Sequence, residues 1–248
     1  MDSLLVLGCG YTGQVVAHKA HERGLRVFET SRKGPLKFDL QNRATWTHLP
    51  QTDSILWTFP AEPLSLVQEF LKTTKAHIVA VGTTGSYATT IDDEVITEDS
   101  PLDMSEARVQ GEECIRNHGG AIVRSAGIYG PGRNPLRWVQ SGLVGRSQKL
   151  VNFIHVDDLA EILLAALEAG LKGVNLLAAD GRPERWGHLI DRWQREFSLA
   201  VPEDAPPSMR PSKSVDSTWT LKRLKIKLRY EDVFSGVRSL VESPPTDV

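Results

Sequence analysis

Ser3-Leu4-Leu5-Val6-Leu7-Gly8-Cys9-Gly10-Tyr11-Thr12-Gly13 is the stretch on which the fold turns. Ser3 to Leu7 form a continuous apolar run, the pattern of a strand covered on both faces. Glycines follow at 8, 10 and 13, where a strand should give way to a helix beginning near Tyr11. In that context Gly8 permits the tight turn, Gly10 lets a diphosphate approach the backbone, and Gly13 lets the helix pack on the strand. The helix N-terminus adds free N–H donors and the positive end of its dipole. On its own this spacing also fits a plain glycine-rich turn. Its place at the start of a βαβ pattern is what points to a dinucleotide cradle of Gly8, Gly10, Tyr11, Thr12 and Gly13.

The chain continues by alternating short apolar runs with amphipathic stretches, the mark of a parallel sheet. The first helix should bury Val15, Val16 and Ala20 and stop at Gly24, a favourable residue just past a helix end. Leu25–Thr30 reads as the second strand. Further buried strands are expected at Ser54–Thr58, His77–Gly82, Ala121–Arg124 and Val174–Leu177. Pro63 suits a first helical turn, with Leu64, Val67, Phe70 and Leu71 on one face. Leu159, Ile162, Leu163, Ala166 and Leu167 repeat at helical spacing after Asp157 or Asp158, either of which can cap that helix. Trp186, Leu189, Ile190, Trp193 and Phe197 trace another apolar stripe, so those tryptophans read as core. Ala200–Pro211, with four prolines, reads as an extended connector. Lys225 to Tyr230 alternates charged with apolar residues, the period of a half-buried strand. The tail from Ser243 is expected to fray.

The end of the second strand should choose the cofactor. A carboxylate there would hold the ribose 2′-hydroxyl of NAD, whereas an arginine would receive the 2′-phosphate of NADP. The chain reads Glu29-Thr30-Ser31-Arg32-Lys33. With Ser31 in the usual acidic position, Arg32 can clasp a 2′-phosphate and NADP is the expected cofactor. If Glu29 faces the ribose instead, the alternative is NAD.

Composition narrows the remaining classes. The 248 residues suit one large domain or one with an appendage, and 40% hydrophobic with 24% charged residues is ordinary for a soluble protein. Twenty-nine basic against 31 acidic residues leave a formal charge of −2, no reason to expect nucleic acid or an anionic membrane as partner. A basic cluster from Lys222 to Arg229 is the weak exception, and a solvated face explains it better. Only Cys9 and Cys114 are present and the histidines are scattered, so neither a disulfide framework nor a metal site is expected. Met1-Asp2-Ser3 lacks the pattern of a signal peptide, and no run approaches the ~20 apolar residues of a membrane span. A cytoplasmic location is expected. No nucleophile elbow and no P-loop is found. His155 near Asp157 suggests a catalytic pair at first glance, but at a helix start packing and capping are the expected roles.

Several segments together resemble the extended short-chain dehydrogenase/reductase superfamily, the NAD-dependent epimerase/dehydratase group. Besides the glycine motif these are Asp39-Leu40, Val81-Gly82-Thr83-Thr84-Gly85-Ser86-Tyr87, Arg124-Ser125-Ala126-Gly127-Ile128-Tyr129-Gly130-Pro131-Gly132-Arg133, and Asn152-Phe153-Ile154-His155-Val156-Asp157-Asp158-Leu159-Ala160. The match spans nearly the whole chain. The resemblance implies a doubly wound parallel α/β sheet (Rossmann fold) with a small, discontinuous C-terminal substrate lobe. Residues 1–131 and 151–178 would form the dinucleotide-binding part, and 132–150 with 179–248 the lobe. Asp39 and Leu40 would lie beside the adenine, Phe59, Thr83 and Arg108 would join the cofactor site, and Thr83, in the catalytic hydroxyl position, and Arg108 would be the catalytic candidates. Substrate would be a small carbonyl or sugar-nucleotide-like molecule, and two copies could pair through helices beside the sheet.

One departure matters. The family's catalytic Tyr stands four residues before a Lys; aligned on Glu112, Arg108 takes the place of the lysine and Met104 that of the tyrosine. Methionine has no proton to give, and arginine stays protonated. Tyr87 is the nearest phenol and a weak substitute. Two readings therefore stand side by side: an oxidoreductase or epimerase with a substitute acid, and an NADP-binding regulatory or scaffold protein without turnover.

Overall fold

The computed structural model describes residues 1–200, 204–205 and 210–242. Pro202, Pro206 and Pro207 of the expected connector and the tail from Ser243 lie outside the described residues. In chain order the strands are β1 (Ser3–Leu7), β2 (Arg26–Ser31), β3 (Leu36–Lys37), β4 (Ser54–Trp57), β5 (His77–Thr83), β6 (Glu94–Ile96) and β7 (Ala121–Ser125). They continue as β8 (Gly127–Tyr129), β9 (Leu150–Val151), β10 (Phe153–His155), β11 (Val174–Ala178), β12 (Glu184–Arg185) and β13 (Lys213–Val215). The helices are α1 (Tyr11–Glu22), α2 (Leu64–Leu71), α3 (Ala107–Asn117) and α4 (Pro135–Gln140), then α5 (Val156–Glu168), α6 (Trp186–Phe197), α7 (Thr218–Leu224) and α8 (Val233–Glu242).

Seven strands form one parallel sheet in the order β11-β7-β5-β4-β1-β2-β3. The unbroken apolarity of β1 has a direct cause. Leu4 and Val6 point into a core shared with α1 and α5, while Leu5 and Leu7 point into one shared with α2 and α3. Each fully buried aliphatic side chain contributes about 1.5–3 kcal/mol, so a strand that feeds both cores cannot alternate with polar residues. The expected stripe on α5 is buried throughout, and Trp186 and Trp193 on α6 are core residues. Gly24, at φ 77, ends α1 as expected.

Strand order reverses at β1, between β2 on one side and β4 on the other, which opens a crevice at the carboxyl ends of the strands. Beyond the carboxyl end of β7 the chain runs through β8 into α4. There α4, α6 and α8 build a separate apolar cluster around Tyr129, Phe153, Trp193 and Phe234.

Two local expectations are corrected. Lys225–Tyr230 is not a strand: α7 ends at Leu224, Lys225 takes φ 55, and the segment that follows makes no ladder. Its alternation comes from Ile226 and Leu228 packing on the core shared by α1 and α5. The cap of α5 is the His155 ring, whose Nδ1 accepts the Asp157 N–H at 3.2 Å. The Asp158 carboxylate is engaged elsewhere, accepting the N–H groups of Arg229 (2.8 Å) and Tyr230 (2.9 Å) and so pinning the same unladdered segment.

Candidate functional site

A cleft of about 820 Å³ follows the carboxyl ends of β1, β2, β4, β5 and β7. At its centre is the turn from β1 into α1, and the surrounding chain dictates its shape. Thr30 Oγ1 accepts the Gly8 N–H at 3.1 Å and donates to the Val6 carbonyl at 3.0 Å. Thr58 Oγ1 donates to the Leu7 carbonyl at 3.0 Å and also to that of Gly8. Gly8 sits at φ +84, and a Cβ there would lie 2.9 Å from the Phe59 ring. A Cβ on Gly13 would come within 3.0 Å of the Gly8 carbonyl oxygen and 3.2 Å of Val6. Gly10 differs: a Cβ there would meet nothing within 4 Å. Protein packing explains the first and third glycines. Gly10 is exposed at the cleft where α1 begins, so its backbone is open to a diphosphate on that helix N-terminus. The residues present therefore fit a dinucleotide.

Gly8, Gly10, Tyr11, Thr12 and Gly13 all line the cleft. Ser31 and Arg32, at the end of β2, line it as well, with Ser31 Oγ accepting the Gly34 N–H at 2.6 Å. Glu29 is not among the lining residues. Its carboxylate accepts the Cys9 thiol at 2.9 Å and lies 3.6 Å from His21 Nε2. Burial, then the hydrogen bond and charge of Glu29, push the Cys9 thiol up to about 12, so the pair stays intact at physiological pH. Asp39, Leu40 and Phe59 line the cleft too. The Asp39 carboxylate is fixed by the Gln41 N–H at 2.9 Å.

Thr83 and Arg108 line the other end. Thr83 Oγ1 accepts the Gly85 N–H at 3.1 Å, which leaves its own O–H free to donate. Arg108 donates through Nε to Glu112 at 2.6 Å and through Nη2 to the Val81 carbonyl at 3.1 Å. Glu112, only 1% exposed, also binds the fully buried Arg124, whose Nη2 reaches Glu113 at 3.2 Å and whose Nε reaches Asn175 at 3.3 Å. Arg108 is thus one member of a buried ionic network that ties α3 to β7.

Two candidates do not reach the cleft. Tyr87 is 3% exposed with an unpartnered hydroxyl, and burial holds that hydroxyl far above its ordinary range. Met104 is 50% exposed and lines a groove with Leu64, Gln68 and Cys114 instead. α3 begins only at Ala107, and Met104 lies in the preceding turn, where its carbonyl accepts a hydrogen bond from Gln110 Nε2.

The cleft also contains residues to which no role was given from sequence, notably Glu62, Ser125, Ile128 and Arg133. Arg133 closes the quoted Arg124–Arg133 motif, and its place behind a Gly-Pro-Gly turn was the available signal. Its guanidinium lies 4.8 Å from the centroid of the Tyr11 ring. Burial is the main cause that pushes the Tyr11 hydroxyl up to about 12, with Arg133 pulling the other way. His155 has the packing and capping roles expected of it. Its ring stacks on Tyr230 at 3.7 Å, and burial above all lowers it to about 4, which keeps it neutral. Among the described residues no three His, Cys, Asp or Glu side chains gather closely enough to hold a metal, and no helix is long and apolar enough to cross a membrane.

No protein-family model and no curated protein matches the chain. Solved structures do. The human epimerase family protein SDR39U1 (isoform 2), determined with NADPH, superposes with a TM-score of 0.78 at 21% identity, over 98% of this chain and 99% of that one. A functionally unknown conserved protein from Silicibacter pomeroyi gives 0.76 at 22% identity over 99% and 100%. The dTDP-glucose 4,6-dehydratase of Bacillus anthracis, in complex with NAD, gives 0.77 at 14% identity over 98% and 97%.

Proposed function

We propose that this chain, which has the fold of the extended short-chain dehydrogenase/reductase superfamily, binds NADP in the cleft and acts as an oxidoreductase or epimerase-like protein on a small carbonyl or sugar-nucleotide-like substrate. The observation that carries the cofactor is the locked turn at Gly8 and Gly13 beneath the open space at Gly10. Ser31 and Arg32 on the cleft wall, with Glu29 turned to Cys9, favour the 2′-phosphate of NADP over the bare ribose of NAD. Asp39, Leu40 and Phe59 form the wall for the adenine half.

The bound nicotinamide supplies a hydride donor or acceptor. The chain supplies position and a proton route. Arg108 stays charged, and its Nη1, without a hydrogen-bond partner among the described residues, is available to a ribose hydroxyl. Thr83 offers its O–H to a carbonyl oxygen and can pass on a proton from solvent. Substrate enters between the strand ends and the α4–α6–α8 cluster, the usual position for this sheet topology.

A second reading, NADP binding without turnover, is favoured by Met104 and Tyr87 lying outside the cleft. Hydride exchange from labelled NADPH into a panel of small carbonyls and nucleotide sugars separates the two. Stereospecific transfer supports the oxidoreductase. Saturable cofactor binding with no transfer to any compound rejects it in favour of the binding protein.

A further inference from the structure

Arg133 stands at the cleft with its charge unneutralised. Among the described residues its guanidinium has no ion pair and no side-chain hydrogen bond, only the Tyr11 ring. Arg108 is different, because Glu112 already compensates it. The cleft therefore has two uncompensated cations among its described residues: Arg32 at the end of β2, and Arg133 beside the Tyr11 ring.

The backbone aims Arg133 at the cradle. Gly130 and Arg133 exchange hydrogen bonds, Gly130 N to Arg133 O at 3.0 Å and Arg133 N to Gly130 O at 2.9 Å. Gly130, at φ +151, presses against its neighbours so closely that a Cβ would fall 2.7 Å from Val156 and 2.8 Å from the Tyr11 hydroxyl. Immediately after, Asn134 caps α4 by accepting the Leu136 N–H at 2.9 Å. The turn is thus fixed on both sides, and its arginine lies over the ring of a cradle residue. That Tyr11 hydroxyl is itself buried and unpartnered.

We propose that Arg133 is a diphosphate-binding residue, reaching from the Gly130–Arg133 turn past Tyr11 to the phosphates that the Gly8–Gly13 turn would hold. The proposal rests on the dinucleotide reading of the cleft. A helix N-terminus offers roughly half a positive charge, too little for the two charges of a dinucleotide diphosphate. An arginine fork matches phosphate oxygens bidentately and supplies the remainder. The two free cations then correspond to the two phosphoryl positions of NADP, Arg32 to the 2′-phosphate and Arg133 to the diphosphate.

That division is measurable, because NADPH and NADH share the diphosphate and differ at the 2′-phosphate. Calorimetric affinities of the full chain for both nucleotides should be compared for the wild type, Arg133→Ala, Arg133→Lys and Arg32→Ala. Arg133→Ala is expected to weaken both nucleotides by the same factor, about tenfold or more, with Arg133→Lys recovering part of the loss. Arg32→Ala should weaken NADPH alone. Inorganic pyrophosphate should compete with NADPH in the wild type and lose that competition in Arg133→Ala. The melting temperature of Arg133→Ala should not move, since the side chain is exposed. Wild-type binding of both nucleotides, with Arg133→Ala unchanged for both or weakened for NADPH only, overturns the clamp and leaves the cofactor reading intact. Wild-type binding of neither overturns both.

Discussion

The two ends of the cleft are built from opposite materials. At the glycine end the backbone is locked by Thr30 and Thr58, and the nearby cations Arg32 and Arg133 have no ionic partner among the described residues. At the other end Arg108 is bound to Glu112, which also binds Arg124 in the interior. Positive charge is left available where phosphates would sit, and is consumed by the fold where a catalytic pair would sit.

The sharpest way to break this contrast is to remove Glu112. Glu112→Ala strands Arg124, which is fully buried, without its main counter-charge. A loss of about 3–5 kcal/mol is expected, read as a fall in the urea midpoint. A loss below about 1 kcal/mol would mean that the network is not structural and that Arg108 is free for chemistry.

Asp180 is the converse of Arg124, a buried acid with one carboxylate oxygen unpartnered. Burial raises it from 3.8 to about 7, so the folded state keeps a proton that the unfolded chain releases. Its contribution to stability therefore falls as pH rises from 3.8 to about 7. His155 works against it: lowered from 6.5 to about 4, it makes stability rise with pH across that interval. Each slope is at most about 1.4 kcal/mol per pH unit, so the two largely cancel between pH 4 and 6.5 in the wild type. Asp180→Asn should uncover the rising limb of His155 in a series of melting temperatures against pH. An unchanged profile would show that Asp180 does not hold its proton through this interval.

Gly10→Ala tests the glycine end alone. The added methyl meets no protein atom, so stability should shift by no more than about 1 kcal/mol, the size of a change at a helix cap. NADPH affinity should nevertheless drop about tenfold, because the methyl enters the diphosphate space. Equal losses of affinity and stability would show that the open space is not a ligand site.

Much of this arrangement was readable from the residues. The double burial of β1, the glycines at 8, 10 and 13 and the stripe on α5 follow from local pattern, because each residue's partner surface is set by the period of its own element. What misled was pattern without context. Ile226 and Leu228 alternate like a strand, yet they pack on helices, and only the tertiary fold reveals that no neighbouring strand is there. Arg133 was quoted within a motif, but its task depends on Tyr11, more than a hundred positions away, and no local period reports such a contact.

The smallest effect is expected from Tyr87→Phe. Its hydroxyl has no hydrogen-bond partner and does not line the cleft, so cofactor affinity and hydride transfer should be unchanged, while removing a buried unpartnered hydroxyl should raise stability by about 1 kcal/mol. A marked loss of transfer would restore this phenol as the missing acid.

The most direct measurement is a calorimetric titration of the wild-type chain with NADPH and, separately, NADH. Saturable binding of both, tighter for NADPH, is the expected result. Absence of saturable binding by either nucleotide would contradict the assignment of the cleft, whatever else the fold resembles.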